Sequence, residues 1–225
     1  EIGSGLVGSE MCIRDSGGGT PTTLSARQLD ALCTQLEAAF DLSALREFTV
    51  EAGRPDTITA DKLHVLRAHR VDRISVNPQT LDDRVLETIG RRHTAQDIFD
   101  ALRLVRETGG FAVNMDLIAG LPADTPEGFR RTLDKCLTFG ADNITVHTLS
   151  LKKGSRILLE GLPIPSAEDV AAMLEYADPA LREKGLPALP KGEPLVWRES
   201  FRQSRKLCRW ECSPGGSCRA ATEGL

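Results

Sequence analysis

At 225 residues with 40% hydrophobic side chains, the chain is long enough to bury one sizeable core, and nothing in its composition asks for more than one domain. A formal net charge of -4 with scattered Lys and Arg, and only 4% aromatic residues, excludes the basic patch or stacking platform of a nucleic-acid binder. No apolar run approaches the about 20 residues that span a bilayer, and no basic-then-apolar leader is present, so the expected location is the cytoplasm; there the six cysteines read as thiols or metal ligands rather than disulfides.

Residues 1–16 form an atypical N-terminal segment. Glu10, Arg14 and Asp15 fall where a buried strand should feed the following glycines, and the string EMCIRDS resembles adapter-derived translation, so the segment does not read as native. The core spans residues 17–186. Leu29, Leu32, Leu36 and Phe40 predict an amphipathic helix over 24–40 with Ser25 as N-cap. A strand over 47–51 and a helix over 59–70 follow, then a strand over 73–76 and helices over 81–89 and 95–107, closed by Gly109 and Gly110. The last units are a strand over 111–118, a helix over 126–139, a strand over 143–151 and a helix over 167–183. Residues 187–225 lose periodicity and read as an irregular tail, disordered or translated in a shifted frame.

Strands alternating with helices imply a parallel sheet, either doubly wound or closed toward a barrel, with ligands at the strand C-termini. That rule selects the stretches 17–22, 51–54, 77–79, 116–122 and 148–153. Gly17-Gly18-Gly19-Thr20-Pro21-Thr22 lets backbone amides approach a ligand closely, but it lacks the Lys of a P-loop, and a tight loop accounts for it equally well when it stands alone. Four further sites follow in order: Glu51 in TVEAGRPD, Gln79 in RISVNPQT, Arg91 in IGRRHT and Asp116 in NMDLIAGLP.

Taken together, these motifs resemble the radical S-adenosylmethionine family, within it the oxygen-independent coproporphyrinogen III oxidases, over residues 17 to about 155. The resemblance implies an α/β fold, a partial parallel (βα) barrel of the radical SAM type, here with its first strand missing. An open first edge of that kind predicts poor solubility. The resemblance also implies S-adenosylmethionine as cofactor. Gly18, Gly19 and Thr20 would line its methionine end, Glu51 and Asp116 would face the ribose, Gln79 would be a polar neighbour, and Arg91 would hold the methionine carboxylate. Taken singly, Arg91 reads as a helix-end arginine in a surface ion pair, and either carboxylate as a buried, hydrogen-bonded acid. His147 reads as a packing residue or one facing a substrate cavity, and His64 and His69 read as solvated helix residues.

Family members bind a 4Fe-4S cluster through CxxxCxxC upstream of the glycines, whereas only Cys12 stands there in this chain. Cys33 and Cys136 fall in helices and read as small core residues; Cys208, Cys212 and Cys218 have the wrong second gap and no evident fourth ligand. The resemblance implies an intact parent that oxidatively decarboxylates porphyrinogen propionates in haem synthesis, served by an electron donor, and a chain that is inactive as written. The alternative within the family is a haem chaperone that binds and delivers haem. An unrelated phosphate-binding barrel would account for the glycine loop and the alternation alone.

Overall fold

The computed structural model describes side chains for residues 20–42, 45, 47–151 and 157–186, and backbone alone for 13–16, 156, 195–198, 209–212 and 218–221. Five parallel strands, β1 (Ile13–Ser16), β2 (Glu47–Glu51), β3 (Arg73–Ser75), β4 (Ala112–Ala119) and β5 (Asn143–Thr148), lie in sequential order, and β6 (Leu195–Arg198) adds antiparallel to β5. The strands β7 (Arg209–Cys212) and β8 (Cys218–Ala221) pair only with each other. Sequential order decides between the two architectures left open by the alternation. Each right-handed crossover advances in one direction, which sets all helices on one face and curls the sheet; a doubly wound sheet must reverse its order at a switch point. The sheet is a partial barrel.

In one particular it departs from the expectation of a missing opening strand. Ile13–Ser16 pairs in parallel with Glu47–Val50 and occupies that edge position. Ladder bonds come from the backbone, and a short edge strand tolerates the polar sequence IRDS that a central, doubly buried strand does not.

The helices are α1 (Ala26–Ala39), α2 (Ala60–Ala68), α3 (Asp83–Thr88), α4 (Ala95–Thr108), α5 (Pro126–Thr138), the single turn α6 (Arg156–Leu159) and α7 (Ala167–Glu183). Ser25 caps α1 as expected, its hydroxyl accepting from the Gln28 N–H at 3.3 Å while the Gln28 side chain returns a bond to the Ser25 N–H at 2.9 Å. The same box closes α4 through Thr94 and Asp97 and α7 through Ser166 and Asp169. Each satisfies amide groups that a helix start otherwise leaves unpaired, worth about 1 kcal/mol.

Side chains alternate across the strands, and here the alternation separates two chemistries. Phe48, Val50, Ile74, Val76, Val113, Met115, Leu117, Ile144 and Val146 pack in one cluster with Leu29 and Cys33 of α1, Leu63 and Leu66 of α2, Ile98 and Leu102 of α4, Phe129 and Leu133 of α5, and Met173 of α7. Each fully buried Leu or Ile in that layer contributes ~1.5–3 kcal/mol. The intervening positions carry Glu47, Thr49, Glu51, Arg73, Ser75, Asn77, Asn114, Asp116, Asn143, Thr145 and His147. The inner face of the barrel is therefore mostly polar, with Ala112 and Ile118 of β4 as apolar exceptions.

Candidate functional site

The site is assembled at the C-terminal ends of β2, β3 and β4. The segment after the glycines is a short turn, Pro21–Thr23, pinned to the loop that follows β2. The Thr22 hydroxyl donates to the Ala52 carbonyl at 3.3 Å and lies 2.6 Å from the Thr57 hydroxyl. Lys62 closes the join from below, its ammonium donating to the Thr22 carbonyl at 2.6 Å and the Thr57 carbonyl at 2.9 Å. Thr20 is thereby brought to Glu51. Between them stands Gly53, and a Cβ at this glycine would lie in van der Waals contact with both, 3.5 Å from Thr20 Oγ1 and 3.8 Å from Glu51 Oε1. Asn77 donates to Glu51 Oε1 at 3.3 Å, while its own Oδ1 is buried without a hydrogen-bond partner. A polar ligand with a donor group would satisfy such an oxygen.

Asp116 lies on β4, beside β3. Gln79 is tied to it through the backbone: its N–H donates to the Asp116 carbonyl at 3.0 Å, and its own carbonyl accepts from the Ile118 N–H at 3.0 Å. These bonds hold Gln79 at φ 66, a left-handed conformation that few non-glycine residues adopt. The Asp116 carboxylate accepts from Asn114 Nδ2 at 3.1 Å, and the same nitrogen reaches Ser75 Oγ at 3.2 Å. His147 is half-buried at the end of the polar row on β5.

Arg91 is exposed on the loop between α3 and α4, its N–H bonded to the Leu86 carbonyl at 2.9 Å. It lines a cavity of about 350 Å³ with Arg54, Asp56, Gly90, Arg92 and His93. Arg54 lies in the loop that follows Glu51, so the cavity adjoins the β2 end in sequence. Its guanidinium forks onto Asp56 at 3.1 and 2.6 Å, a bond that holds the Asp56 carboxyl below its ordinary value. Burial, then the Arg91 charge, lowers the pKa of His93, whose Nε2 has no partner. Of the predicted residues, Thr20 and Glu51 meet at Gly53, and Gln79 and Asp116 meet through the backbone. Gly18 and Gly19 lie outside the described residues.

One further acid and a histidine are perturbed elsewhere. His69 is not the solvated residue its helical position predicts. Its ring bridges Glu37 at 2.9 Å and Asp30 at 3.0 Å, with 11% of the side chain exposed. Burial pulls its pKa down, but the bonds to Asp30 and Glu37 outweigh burial and raise it overall. Asp124, in the loop before α5, is 7% exposed; Oδ1 accepts from the Thr125 N–H at 2.8 Å and Oδ2 has no partner. Burial pushes this carboxyl up to about 6, against the opposing Thr125 bond. Gly128 packs tightly beside it, and a Cβ there would force Asp124 Oδ1 to move.

The chain matches the Radical SAM superfamily over residues 16–136. The chain belongs to the radical SAM superfamily. It is 41% identical over 172 residues to the oxygen-independent coproporphyrinogen-III oxidase-like protein of Bacillus subtilis, covering 75% of this chain and 34% of that protein. A haem chaperone of the same organism is 34% identical over 175 residues, covering 76% of this chain and 46% of its own length. Among solved structures, coproporphyrinogen III oxidase from Escherichia coli, a radical SAM enzyme, superposes with a TM-score of 0.74 at 28% identity, over 85% of this chain and 44% of that one. The chain thus spans between a third and a half of the length of these relatives.

A cluster and its adenosyl ligand fare differently when tested against the residues present. Cys33 and Cys136 are buried thiols pushed up by burial to about 11 and about 12, which keeps them neutral in the core. No CxxxCxxC occurs in the 225 residues, and no group of His, Cys, Asp and Glu suited to a metal forms among the described residues. These residues do not fit a 4Fe-4S cluster. The groups around Gly53, a hydroxyl, a carboxylate and the unpaired Asn77 oxygen, are of the kind that would bond the amino and hydroxyl groups of an adenosyl ligand. Asn114 and Asn143 escaped the selection of site residues, whereas Asn77 fell within the selected stretch 77–79 without being given a role. Their signal was present as polar residues at every second position of strands that otherwise read as buried.

Proposed function

We propose that this chain is the S-adenosylmethionine-binding part of a radical SAM oxidoreductase resembling oxygen-independent coproporphyrinogen III oxidase, whose intact form decarboxylates porphyrinogen propionates. The observation that carries the reading is the convergence of Thr20, Glu51 and Asn77 around Gly53 at the strand ends of a radical SAM barrel. When bound, S-adenosylmethionine supplies the radical chemistry for which the superfamily is named.

The residues of this chain do the holding. Gly18, Gly19 and Thr20 take the methionine end, where backbone groups meet an amino group and a carboxylate. Glu51 and Asp116 accept from the ribose hydroxyls, as ionised carboxylates readily do. Gln79, fixed by its bonds to β4, is a polar neighbour. Arg91, whose guanidinium is permanently charged, takes the methionine carboxylate. Deep placement of Asn77 and Asn114 beside the two acids keeps their orientation independent of solvent. The 4Fe-4S cluster and an electron donor belong to the intact protein.

Isothermal calorimetry on the full chain tests this. S-adenosylmethionine is expected to bind, and Glu51→Ala and Arg91→Ala are each expected to weaken it about tenfold or more, the worth of one hydrogen bond to a charged group. A chain that melts cooperatively yet binds no S-adenosylmethionine would refute the reading.

A second reading, haem binding and delivery, is favoured by the 34% identity to haem chaperones of Lactococcus lactis and Bacillus subtilis. Titration with haem, followed by its absorbance, separates the two: saturable binding at one equivalent supports the chaperone, and porphyrinogen binding without it supports the oxidoreductase.

A further inference from the structure

We propose that Asn143 and Asn114 are positioning residues that set the carboxylate of Asp116 for a pair of ligand hydroxyls, an inference that rests on the ribose role given to Asp116 above. Asn114 and Asn143 are register partners across the β4–β5 ladder, one inward-facing step before the Asp116–Thr145 pair. They are 8% and 4% exposed. The Asn143 amide nitrogen donates to the Asn114 side-chain oxygen. With its oxygen committed to β5, Asn114 has only its NH₂ group to offer in the other direction, and it donates to Asp116 Oδ1 at 3.1 Å and Ser75 Oγ at 3.2 Å. The orientation of a side-chain amide follows from its partners. A donor at position 143 therefore determines that a donor, not an oxygen, meets Asp116.

Stability does not account for this arrangement. Asn143 Oδ1 is buried with no hydrogen-bond partner, and one neutral hydrogen bond gains no more than an unpaired buried oxygen costs. What the amide at 143 supplies is direction. Through Asn114 it fixes the rotation of the Asp116 carboxylate, so that the second carboxylate oxygen keeps one heading at the strand end.

The test replaces the donor with an acceptor of nearly equal size, Asn143→Asp, and restores a donor with Asn143→Ser. In the full chain, calorimetry compares S-adenosylmethionine with its 2′-deoxy analogue. The unaltered chain is expected to prefer the natural ligand about tenfold or more. Asn143→Asp draws the Asn114 NH₂ group toward β5 and away from Asp116, and should reduce that preference to about twofold or less, while Asn143→Ser retains most of it. A purely structural role would weaken both ligands in proportion and leave the ratio unchanged, which overturns the proposal. The relay is also read without ligand, from the side-chain amide protons of Asn114 by NMR. They are expected to exchange slowly in the unaltered chain and to lose protection in Asn143→Asp. If protection is unchanged, the relay is wrong. If protection is lost on substitution but the unaltered chain shows no preference between the ligands, the relay geometry stands, but the ribose role of Asp116, and with it this proposal, fails.

Discussion

Replacing Asp124 with Asn should make the protein more stable at neutral pH, by an amount that follows from the environment of the side chain. Burial raises the carboxyl from an ordinary value of 3.8 to about 6, which at 1.36 kcal/mol per pH unit corresponds to at most about 3 kcal/mol. Below about pH 4 the carboxyl is protonated in folded and unfolded chains alike, and the shift has no effect. Between about 4 and 6 the folded chain keeps a proton that the unfolded chain has released, so stability falls as pH rises through this window, then stays lowered above it. Asn keeps the oxygen that accepts from the Thr125 N–H and carries no charge to bury. Urea unfolding of the full chain, followed by circular dichroism at pH 4, 6 and 7.5, should therefore show Asp124→Asn gaining about 1–3 kcal/mol at the highest pH and little at the lowest. A variant that is less stable at pH 7.5, or a gap that does not shrink with acid, would refute the reasoning.

Other outcomes follow from the same structure. Gly128→Ala should cost about 2 kcal/mol or more by forcing Asp124 Oδ1 aside, and much of that loss should vanish in an Asp124→Ala background, as a double-mutant cycle on chemical denaturation would show. His69→Gln should destabilise the fold at pH 5.5 far more than at pH 9, since a histidine with a raised pKa stabilises most below its unfolded value near 6.5 and loses that contribution as pH rises through the folded one. Melting curves at the two pH values decide it; equal losses would deny the bridge to Asp30 and Glu37 its charge. Gln79→Gly should melt no lower than the unaltered chain, whereas Gln79→Val should lose about 1 kcal/mol or more, because a β-branched side chain resists φ 66.

Where structure depended on neighbouring residues it was legible in advance, and where it depended on distant partners it was not. Ser25 announces the start of α1, and the 167–183 pattern matches α7 residue for residue, because caps and periodicity are local. Glu51 and Asp116 stand out within motifs at strand ends. The role of His69 was hidden because its partners, Glu37 and Asp30, lie 32 and 39 residues away on another helix. Asn143 and Asn114, 29 residues apart, meet only once β4 and β5 pair in register. Strand β1 was concealed for a different reason: an edge strand is held by its backbone, so IRDS carries no apolar signature to find.

The two-faced sheet has an evolutionary corollary. Along β2, β3, β4 and β5, the residues that hold the helices and the polar residues of the inner face occupy alternate positions of the same few peptides. Exchanges at Ser75, Asn77, Thr145 or His147 alter the inner face while leaving the outward-facing apolar layer intact. A scan of all substitutions along β5 should accordingly record a comb, with growth or abundance sensitive at Ile144 and Val146, and ligand preference sensitive at Asn143, Thr145 and His147. One barrel of this kind can thus host many chemistries without being rebuilt for each.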